Sequence, residues 1–478
     1  MTAVFGAPGP RIFGAPPGAD FAGSVAVGLR QRLSGAPADA LARVELVVNT
    51  QRTRRALSEA FESGAAEGAT YLPRISTLDG FADGVVDAPP PEDRLARRLT
   101  LTRLVEARLA SDPRLGPPGA AGPLAASLAT LLDEMQREGV PFSALAQAAD
   151  GEHAAHWGET LRFLEVIGDV WPAHLAAAPA RSDPEARRAA DVKALVGAWA
   201  DQPPDRVVIA AGSTGSQKVT ADLLIAIAGL PQGAVVLPGF DFHMDDAGWA
   251  AAGPDHPQFG FKALLERLGL EPGDVARWSD APDSPRARLL AEALRPAPAT
   301  HHWRRALPKL SETIGAATGG VTLIEAPSPR REAEAIAVLM RRALEEDGAV
   351  AALVSPDRGL ARRVAAILAR WGLEPDDSAG RPLALTPPGV FLTLLAATLA
   401  KPFDPVMLLA ALKHPLAAEG EGRGAHFEAV ARLEARVLRR RDVALGLRTI
   451  ADLKEAWIAV EVERAVRAGE EGAPASAV

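Results

Sequence analysis

Short, fully apolar runs alternate with longer runs of helical periodicity along much of the chain. The clearest case is an apolar run, Val207–Ala211, followed by a polar turn and a helical pattern over Val219–Ala228. A second apolar run, Ala234–Leu237, comes next. Runs of this length and β-branched content are typical of buried strands, and two strands joined by one helix pair in parallel. The pattern therefore predicts an α/β fold built on a parallel sheet.

The N-terminal part repeats this pattern. It predicts strands at Arg11–Phe13, Val44–Val48 and Leu72–Ile75, a helix over Phe21–Leu33, and a second helix that opens at about residue 49. In parallel sheets the functional groups sit in the loops that follow the strands. The polar loops after these strands are therefore the first places to look for a site.

Between about residues 89 and 204 the strand signals stop and helical patterns dominate. They cover Asp93–Ala110, Leu124–Glu138 and Gly158–Ala177, and Pro-Gly stretches separate them. We expect an all-helical insertion between two halves of one α/β domain.

Beyond Leu270 the α/β pattern fades, and residues 271–320 are interpreted as a connector with one helix. A second α/β part is then predicted, with strands at Val321–Glu325 and Val350–Val354, a helix after each, and helices from about Val390 onward. Two strands are too few for a stable sheet. We therefore expect this part to be incomplete or to pack against a partner.

Composition removes several kinds of chemistry. The 478 residues are enough for about two to four domains. With no Cys, the chain cannot supply a disulfide, a thiolate metal ligand or a cysteine nucleophile. The formal net charge of −8 argues against a small DNA-coating protein, though it allows a local basic channel. The sequence shows no signal peptide and no membrane span, so a cytoplasmic location is expected.

The first loop stands where a phosphate loop would stand, between the first strand and the first helix. A working loop reads G-x-x-x-x-G-K-[ST]. When its second glycine is aligned with Gly18, its lysine falls on Ala19 and its hydroxyl on Asp20, and Gly14 begins the loop. The lysine is missing, and Asp20 would repel phosphate, so a degenerate nucleotide loop or a structural turn with Asp20 as helix N-cap is predicted.

Two further loops offer groups that could contact phosphate. Arg52, Arg54 and Arg55 lie at the start of the helix after the second strand, and arginine is suited to phosphate. The alternative is a solvated helix face. Residues 212–216, Gly-Ser-Thr-Gly-Ser, offer hydroxyls and backbone N–H groups after a buried strand, and equally fit a capped turn.

An acidic and imidazole-rich loop, Asp241 to Asp246, follows the strand at Ala234–Leu237. Its spacing matches no strong metal signature, so no metal site is predicted. The sequence also lacks G-x-S-x-G, H-E-x-x-H and a G-x-G-x-x-G that opens a helix. From the residues alone, no catalytic residue can be assigned.

Several stretches taken together resemble the B subunit of the AddAB-type helicase–nuclease, in its alphaproteobacterial branch. The stretches that carry the resemblance are RIFGAPPGADF (11–21), VVNTQRTRRAL (47–57), LPRISTLDGFA (72–82), AAGSTGSQKVTADLLIAIAGLPQGAVVLPGFD (210–241), HPQFGFKALLERLG (256–269), ALVSPDRGLARRVAAILARWGLEPDDSAGRPL (352–383), TPPGVF (386–391) and LLAALKHPLA (408–417). Their order is the expected one, and as a set they are specific.

This resemblance implies a superfamily-1 helicase-like fold with RecA-like domains and helical insertions. By analogy, domain 1A would comprise residues 1–88 and 203–300, with insertion 1B at 89–202. Residues 301–400 would hold the connector and the start of domain 2A, and residues 401–478 the start of helical domain 2B. The DNA contacts implied at helicase-motif positions are Thr50, Arg52, Arg54, Arg55, Ser76, Thr77, Ser213, Thr214 and Arg358.

The resemblance also implies a function. AddAB-type complexes process DNA double-strand breaks for recombinational repair, and the helicase-like region of the B subunit binds single-stranded DNA and its regulatory sequence without driving unwinding. The A subunit would be the partner and would use ATP. The family's nuclease domain holds Mg²⁺ and an iron–sulfur cluster.

This chain departs from the family in two ways. Family members are much longer, and no stretch here corresponds to the nuclease domain with its cysteines. We therefore expect an N-terminal, truncated portion with no cofactor of its own, and its status as an enzyme stays open. Two alternatives remain: an ATP-dependent α/β enzyme with a non-standard phosphate loop, and a small-molecule α/β transferase.

Overall fold

Six short strands pair in parallel to form one sheet in the N-terminal part of the chain. The computed structural model describes residues 5, 9–37, 39–63, 71–147, 160–161, 163–177, 181–280, 284–401, 404–418, 420–440 and 449–468. The strands are β1 Ile12–Gly14, β2 Val44–Val48, β3 Arg74–Thr77, β4 Val207–Ala211, β5 Gly233–Leu237 and β6 Ala276–Arg277, in the spatial order β3-β2-β4-β5-β1-β6. Each pairing is parallel, which confirms the predicted α/β class.

The chain divides into two units, Met1–Val321 and Thr322–Val478. The first unit holds the sheet and most of the helices. Its described α-helices are α1 Phe21–Arg32, α2 Gln51–Ser63, α3 Leu78–Phe81, α4 Arg94–Ser111, α5 Ala121–Glu138, α6 Phe142–Gln147, α7 Trp171–Ala177, α8 Pro184–Asp201, α9 Lys218–Gly229, α10 Asp246–Ala251, α11 Phe259–Leu268, α12 Pro285–Ala293 and α13 Trp303–Thr318.

The sheet is buried on both faces because its strands alternate between two cores. On β4, Val208 and Ala210 pack into one core with helices α8, α9 and α11, whereas Val207, Ile209 and Ala211 pack into the other with α1 and α2. Residues on β2 and β5 alternate in the same way. A parallel sheet with covered faces needs continuous apolar strands, which explains the unbroken apolar runs in the sequence.

The described residues between β3 and β4 form a helical segment, residues 94–201, with a core of its own. Helices α4, α5 and α7 contribute Leu101, Val105, Leu128 and Trp171 to this core. Arg97 on α4 is buried beside two carboxylates. Its guanidinium lies 2.7 Å from Asp133 and 3.0 Å from Asp183. Asp183 also caps α8 and accepts a hydrogen bond from the Trp171 indole, so one charged network joins four helices.

The predicted connector at 271–320 is wrong in two respects. Ala276 and Arg277 form β6, which pairs with β1, and Trp303–Thr318 forms a helix with Pro308 inside it. A two-residue strand has no periodicity to detect, and the prolines of this stretch suggested a break. The predicted helix at Pro285–Leu294 is present and ends at Ala293.

The second unit is helical where it is described. Its α-helices are α14 Pro329–Ala343, α15 Arg358–Arg370, α16 Pro387–Ala400, α17 Pro405–Leu412, α18 Arg423–Leu433 and α19 Ile450–Ala468. Helices α14 and α15 pack together through Ala333, Ala337, Leu360, Val364 and Leu368.

The strands predicted at 321–325 and 350–354 are wrong, because these runs belong to no ladder in the described chain. Several of their apolar side chains are exposed, Leu323 by 86%, Val350 by 91% and Val354 by 94%. Apolar, β-branched sequence favours extended backbone, but a strand also needs a neighbour to accept and donate its hydrogen bonds.

Candidate functional site

After the adjacent strands β2 and β4, the chain continues in opposite directions across the sheet. From β2 it moves outward to β3 at the edge, whereas from β4 it moves the other way to β5. The neighbours β2 and β4 therefore form a topological switch point, where the two connections diverge and leave space between them. In open parallel sheets, ligands bind in the crevice outside the carboxyl ends of the strands at such a point.

The strand register aligns the carboxyl ends of β3, β2 and β4, so the segments that follow these three strands lie side by side. Val48 pairs with Thr77 on β3 and with Ala211 on β4. The next residues, Asn49, Leu78 and Gly212, therefore follow the ends of three adjacent strands. They border an open crevice of about 260 Å³. Its lining consists of Asn49, Leu78, Asp79, Arg188, Gly212, Ser213, Thr214, Ser216, Gln217 and Thr220.

The loop after β2 is held by its own side chains. The Thr50 hydroxyl accepts a hydrogen bond from the backbone N–H of Thr53 (3.1 Å), and the Thr53 hydroxyl donates to Asn49 Oδ1 (2.8 Å). These bonds cap the first turn of α2 and fix the Asn49 amide at the crevice. Thr50, one of the predicted DNA contacts, therefore has a structural role next to the site.

The loop after β4 forms the opposite wall. Gly212 has φ +88°, a conformation that glycine adopts readily and other residues do not. Ser213 is buried, and its hydroxyl accepts a hydrogen bond from the Gly215 N–H (3.3 Å), which closes a tight turn. Thr214 and Ser216 are exposed at the crevice. The tight turn that the sequence suggested is therefore present, and phosphate contact by its exposed hydroxyls stays a prediction.

The predicted arginine cluster is exposed on the first turns of α2. Arg52, Arg54 and Arg55 are all exposed, and none belongs to the crevice lining. They lie close in sequence to Asn49, at the helix end where the peptide dipoles favour anions. The first turns of α2, which begins two residues after Asn49, therefore carry three exposed arginines, which we call the arginine rim.

Ser76 and Thr77 end the edge strand β3, which sits beside β2. The Ser76 hydroxyl is buried and has no hydrogen-bond partner within the described structure. Thr77 precedes α3 and makes no side-chain cap. Both residues lie at the correct edge of the sheet, although the crevice is lined by the residues that follow them, Leu78 and Asp79.

Sequence reasoning missed two charged residues of the crevice. Arg188 comes from α8 in the helical segment, and its Nη2 lies 2.6 Å from Asp79 Oδ1. Both line the crevice with Asn49 and Gly212. No local motif marks Arg188, because only the folded chain brings α8 to the ends of β3 and β4.

The loop after β1 does not resemble a working nucleotide site. The Asp20 carboxylate accepts a hydrogen bond from the Gly23 N–H (3.1 Å) and so occupies an amide that a phosphate would use. At Gly14, an added Cβ would lie 2.8 Å from Phe240 Cβ and from Phe242 Cζ. Aromatic rings thus close over the strand end. Gly18 has φ +82° and Ala19 stands at the lysine position, so the loop carries no cation of its own.

The acidic loop after β5 uses its side chains to hold itself. Asp241 accepts from the N–H groups of His243 (2.8 Å) and Met244 (3.1 Å), and Asp245 caps α10. Burial favours the neutral acid, but hydrogen bonds from Arg295 and His302 outweigh it and hold the pKa of Asp245 below its usual range. Among the described residues, no three His, Asp or Glu side chains are grouped to hold a metal ion.

Arg358 belongs to the second unit. Its guanidinium makes two hydrogen bonds to Asp377, at 2.9 and 2.8 Å, and the bond to Asp377 raises the pKa of Arg358. A DNA phosphate at this position would have to compete with Asp377.

Comparisons with known proteins found no match to this chain among protein-family models or among curated proteins. In the part of the chain that the structure describes, no helix has the length and apolar character needed to cross a bilayer.

Proposed function

We propose that this chain is a non-motor, helicase-like subunit that binds single-stranded DNA within a helicase–nuclease of the AddAB type. In this proposal the sheet is a RecA-like domain, and the complex processes double-strand breaks for recombinational repair. The observation that carries the proposal is the crevice at the β2–β4 switch point, which has a polar, hydrogen-bonding lining and an arginine-rich rim.

The lining suits a nucleic-acid strand. Asn49, Gln217 and the hydroxyls of Thr214, Ser216 and Thr220 can donate or accept hydrogen bonds, as base edges and phosphates require. The rim adds Arg52, Arg54 and Arg55 for the phosphodiester backbone. The crevice is open, so an extended strand can lie across it. Recognition of a regulatory sequence would rest on the amide side chains, because hydroxyl groups discriminate bases less strictly.

The loop after β1 supports a role without a motor. ATP hydrolysis by a loop of this kind needs a lysine on the β- and γ-phosphates and a hydroxyl on Mg²⁺. Here Ala19 and Asp20 stand at those positions, and Asp20 is engaged as the cap of α1. We therefore assign ATP use to an AddA-type partner.

The same proposal places the nuclease chemistry outside these residues. An iron–sulfur cluster needs thiolate ligands, and this chain has no cysteine. Any cluster in the assembled complex would have to be held by other parts of it. The role left for this chain is to hold the DNA strand.

Salt-dependent binding to a fluorescent oligothymidylate, with and without an AddA-type partner, tests the proposal. Changing Arg52, Arg54 and Arg55 to Gln should weaken binding by about tenfold or more and flatten the dependence of log K on log salt by about two units, since each lost phosphate contact removes about 0.7. A matched control changes Arg304, Arg305 and Lys309 on α13 to Gln. These are also exposed, and they lie on a different helix, which follows β6 in the chain.

Equal losses in the two triple variants would indicate a non-specific charge effect and contradict a rim at α2. Absence of binding by the unaltered chain, alone and with partner, would reject the DNA proposal. It would favour the transferase alternative, for which the polar crevice would bind a small phosphate-bearing molecule. In that case the affinity for phosphate-bearing ligands would not increase with the length of an oligonucleotide.

A further inference from the structure

One ion pair at the crevice joins α8 of the helical segment to α3, the short helix that follows β3. Arg188 Nη2 on α8 lies 2.6 Å from Asp79 Oδ1 at the start of α3. The two side chains differ greatly in exposure, since 18% of Arg188 and 74% of Asp79 is accessible. Arg188 therefore belongs to the crevice wall, whereas Asp79 reaches it from the solvent side.

Arg188 has unused donor capacity. Its Nε is buried and has no hydrogen-bond partner in the described structure. The nearest other carboxylate is Glu185, 3.8 Å from Arg188 Nη1. Glu185 is committed elsewhere, because Arg137 donates to both of its oxygens, at 3.1 and 2.7 Å. Burial opposes ionisation of Glu185, but the hydrogen bond from Arg137 lowers its pKa overall.

An exposed carboxylate is a weak competitor for such a guanidinium. An ion pair with one solvent-exposed member contributes little, because water and salt screen it. A phosphate brings more acceptor oxygens and can bind a guanidinium through two parallel hydrogen bonds. If a phosphate replaced Asp79 as the partner of Arg188, one of its oxygens could also accept a hydrogen bond from the buried Nε. This would be favourable, because a buried donor without an acceptor costs free energy.

We propose that Arg188 is a phosphate-contacting residue of the crevice, and that Asp79 is a built-in competitor which occupies Arg188 until a nucleic-acid phosphate replaces it. The inference rests on the proposed function for the identity of the ligand, a phosphodiester of single-stranded DNA. It adds a residue from the helical segment to a site otherwise built from strand ends.

The exchange needs no rearrangement of the fold. The neighbouring Arg187 holds α8 to the chain after α3 through hydrogen bonds to the carbonyls of Val86, Ala88 and Pro89, between 2.7 and 2.8 Å. Asp79 can therefore turn into solvent while α8 stays in place. Asp79 therefore lowers the affinity of Arg188 for anions that bind it weakly, such as free carboxylates.

The test measures binding of a fluorescent oligothymidylate by the full chain at two salt concentrations. Asp79→Asn should tighten binding about fivefold, because the phosphate no longer has to displace a carboxylate from Arg188, whereas Arg188→Gln should flatten the slope of log K against log salt by about 0.7, the value for one lost phosphate contact with a single strand. The control is Asp83→Asn, which removes the same charge from an exposed residue nearby and leaves the Arg188 pair intact.

Arg188→Gln should weaken binding, and Asp79→Asn added to Arg188→Gln should produce no gain. Circular dichroism of each variant checks that α8 remains folded. Unchanged or weaker binding by Asp79→Asn, or an equal gain by Asp83→Asn, would contradict the inference that Asp79 competes with phosphate for Arg188. If the unaltered chain binds and responds to the α2 arginines while Asp79→Asn has no effect, only this inference fails. If no variant binds, both proposals fail.

Discussion

Asn49 Oδ1 lies 3.4 Å from the position that a Cβ atom would occupy on Gly212. Asn49 and Gly212 directly follow the neighbouring strands β2 and β4, and Phe21 Cε1 is closer still to the added Cβ, at 3.2 Å. With φ +88°, Gly212 is also in a conformation that disfavours other residues. Gly212→Ala should therefore destabilise the fold by about 1–3 kcal/mol, measured by urea unfolding.

Gly239→Ala serves as the comparison for this variant. Gly239 also has positive φ, +64°, but no atom lies within 4 Å of its added Cβ. It should show the backbone strain alone, about 1 kcal/mol. If the two variants unfold at the same urea concentration, the close approach of Asn49 and Phe21 to Gly212 has no energetic consequence.

Replacing Asp20 separates its capping role from any role with nucleotides. Asp20→Ala should cost about 1 kcal/mol of stability because the Gly23 amide loses its acceptor, whereas Asp20→Ser should retain most of that stability. Neither variant nor the unaltered chain should turn over ATP. ATP turnover by the unaltered chain that disappears in Asp20→Ala would revive the ATP-dependent alternative.

The buried network around Asp183 should be the most sensitive part of the helical segment. Asp183→Ala removes the cap of α8, the acceptor for the Trp171 indole and one of two carboxylates beside buried Arg97. We expect a loss of about 3 kcal/mol, because buried Arg97 would keep only the Asp133 carboxylate, and the indole N–H and the first turn of α8 would lose their acceptor. Trp171→Phe removes the indole donor and part of a buried ring but no charge, so it should cost less, about 2 kcal/mol. Thermal unfolding measures both, and equal losses would contradict the charge argument.

Stability should depend on acid through Asp245. Its pKa is lowered in the folded chain by Arg295 and His302, against the effect of burial. Its contribution is therefore fully present above the ordinary aspartate pKa, about 3.9, and is lost as pH falls below that value. Because 43% of its side chain is exposed, the contribution should stay below about 1 kcal/mol.

Asp245→Asn retains a capping oxygen but removes the charge, so its unfolding free energy should lie below that of the unaltered chain at pH 7 and approach it near pH 3. Asp246→Asn, at the exposed neighbouring position, should behave like the unaltered chain. A gap for Asp245→Asn that persists unchanged at pH 3 would show that charge is not the cause.

The sequence predicted β2, β4 and β5 because strands buried on both faces must be apolar runs, and it placed the edge strand β3 at 72–75 instead of Arg74–Thr77 because β3 is a short, half-exposed strand. It could not predict β6, whose two residues depend on β1 for pairing, and it assigned strands to 321–325 and 350–354 on apolar content alone. The local sequence pattern indicates which backbone conformation a segment prefers. It does not report whether a neighbour is present to pair with it.

The site was predictable in the same partial way. Strand ends point to Asn49, Gly212 and their loops, because the order of runs already implies a parallel sheet. Arg188 and Asp79 carry no such signal, since they meet only after a long helical segment returns to the sheet. The α2 arginines were predicted from sequence, and the fold adds that they stand beside the crevice rather than in it.

The position of β1 between β5 and β6 has a consequence for biosynthesis. Ile12 pairs with Val235, and Gly14 pairs with Leu237 and Arg277, so β1 has no partner in the sheet until most of the first unit has been made. Such distant pairings slow folding, whereas the contacts within the helical segment are local and form early. The nascent chain must therefore carry β1 unpaired until β5 has been made, and protection of that strand by a chaperone would improve the yield of folded protein.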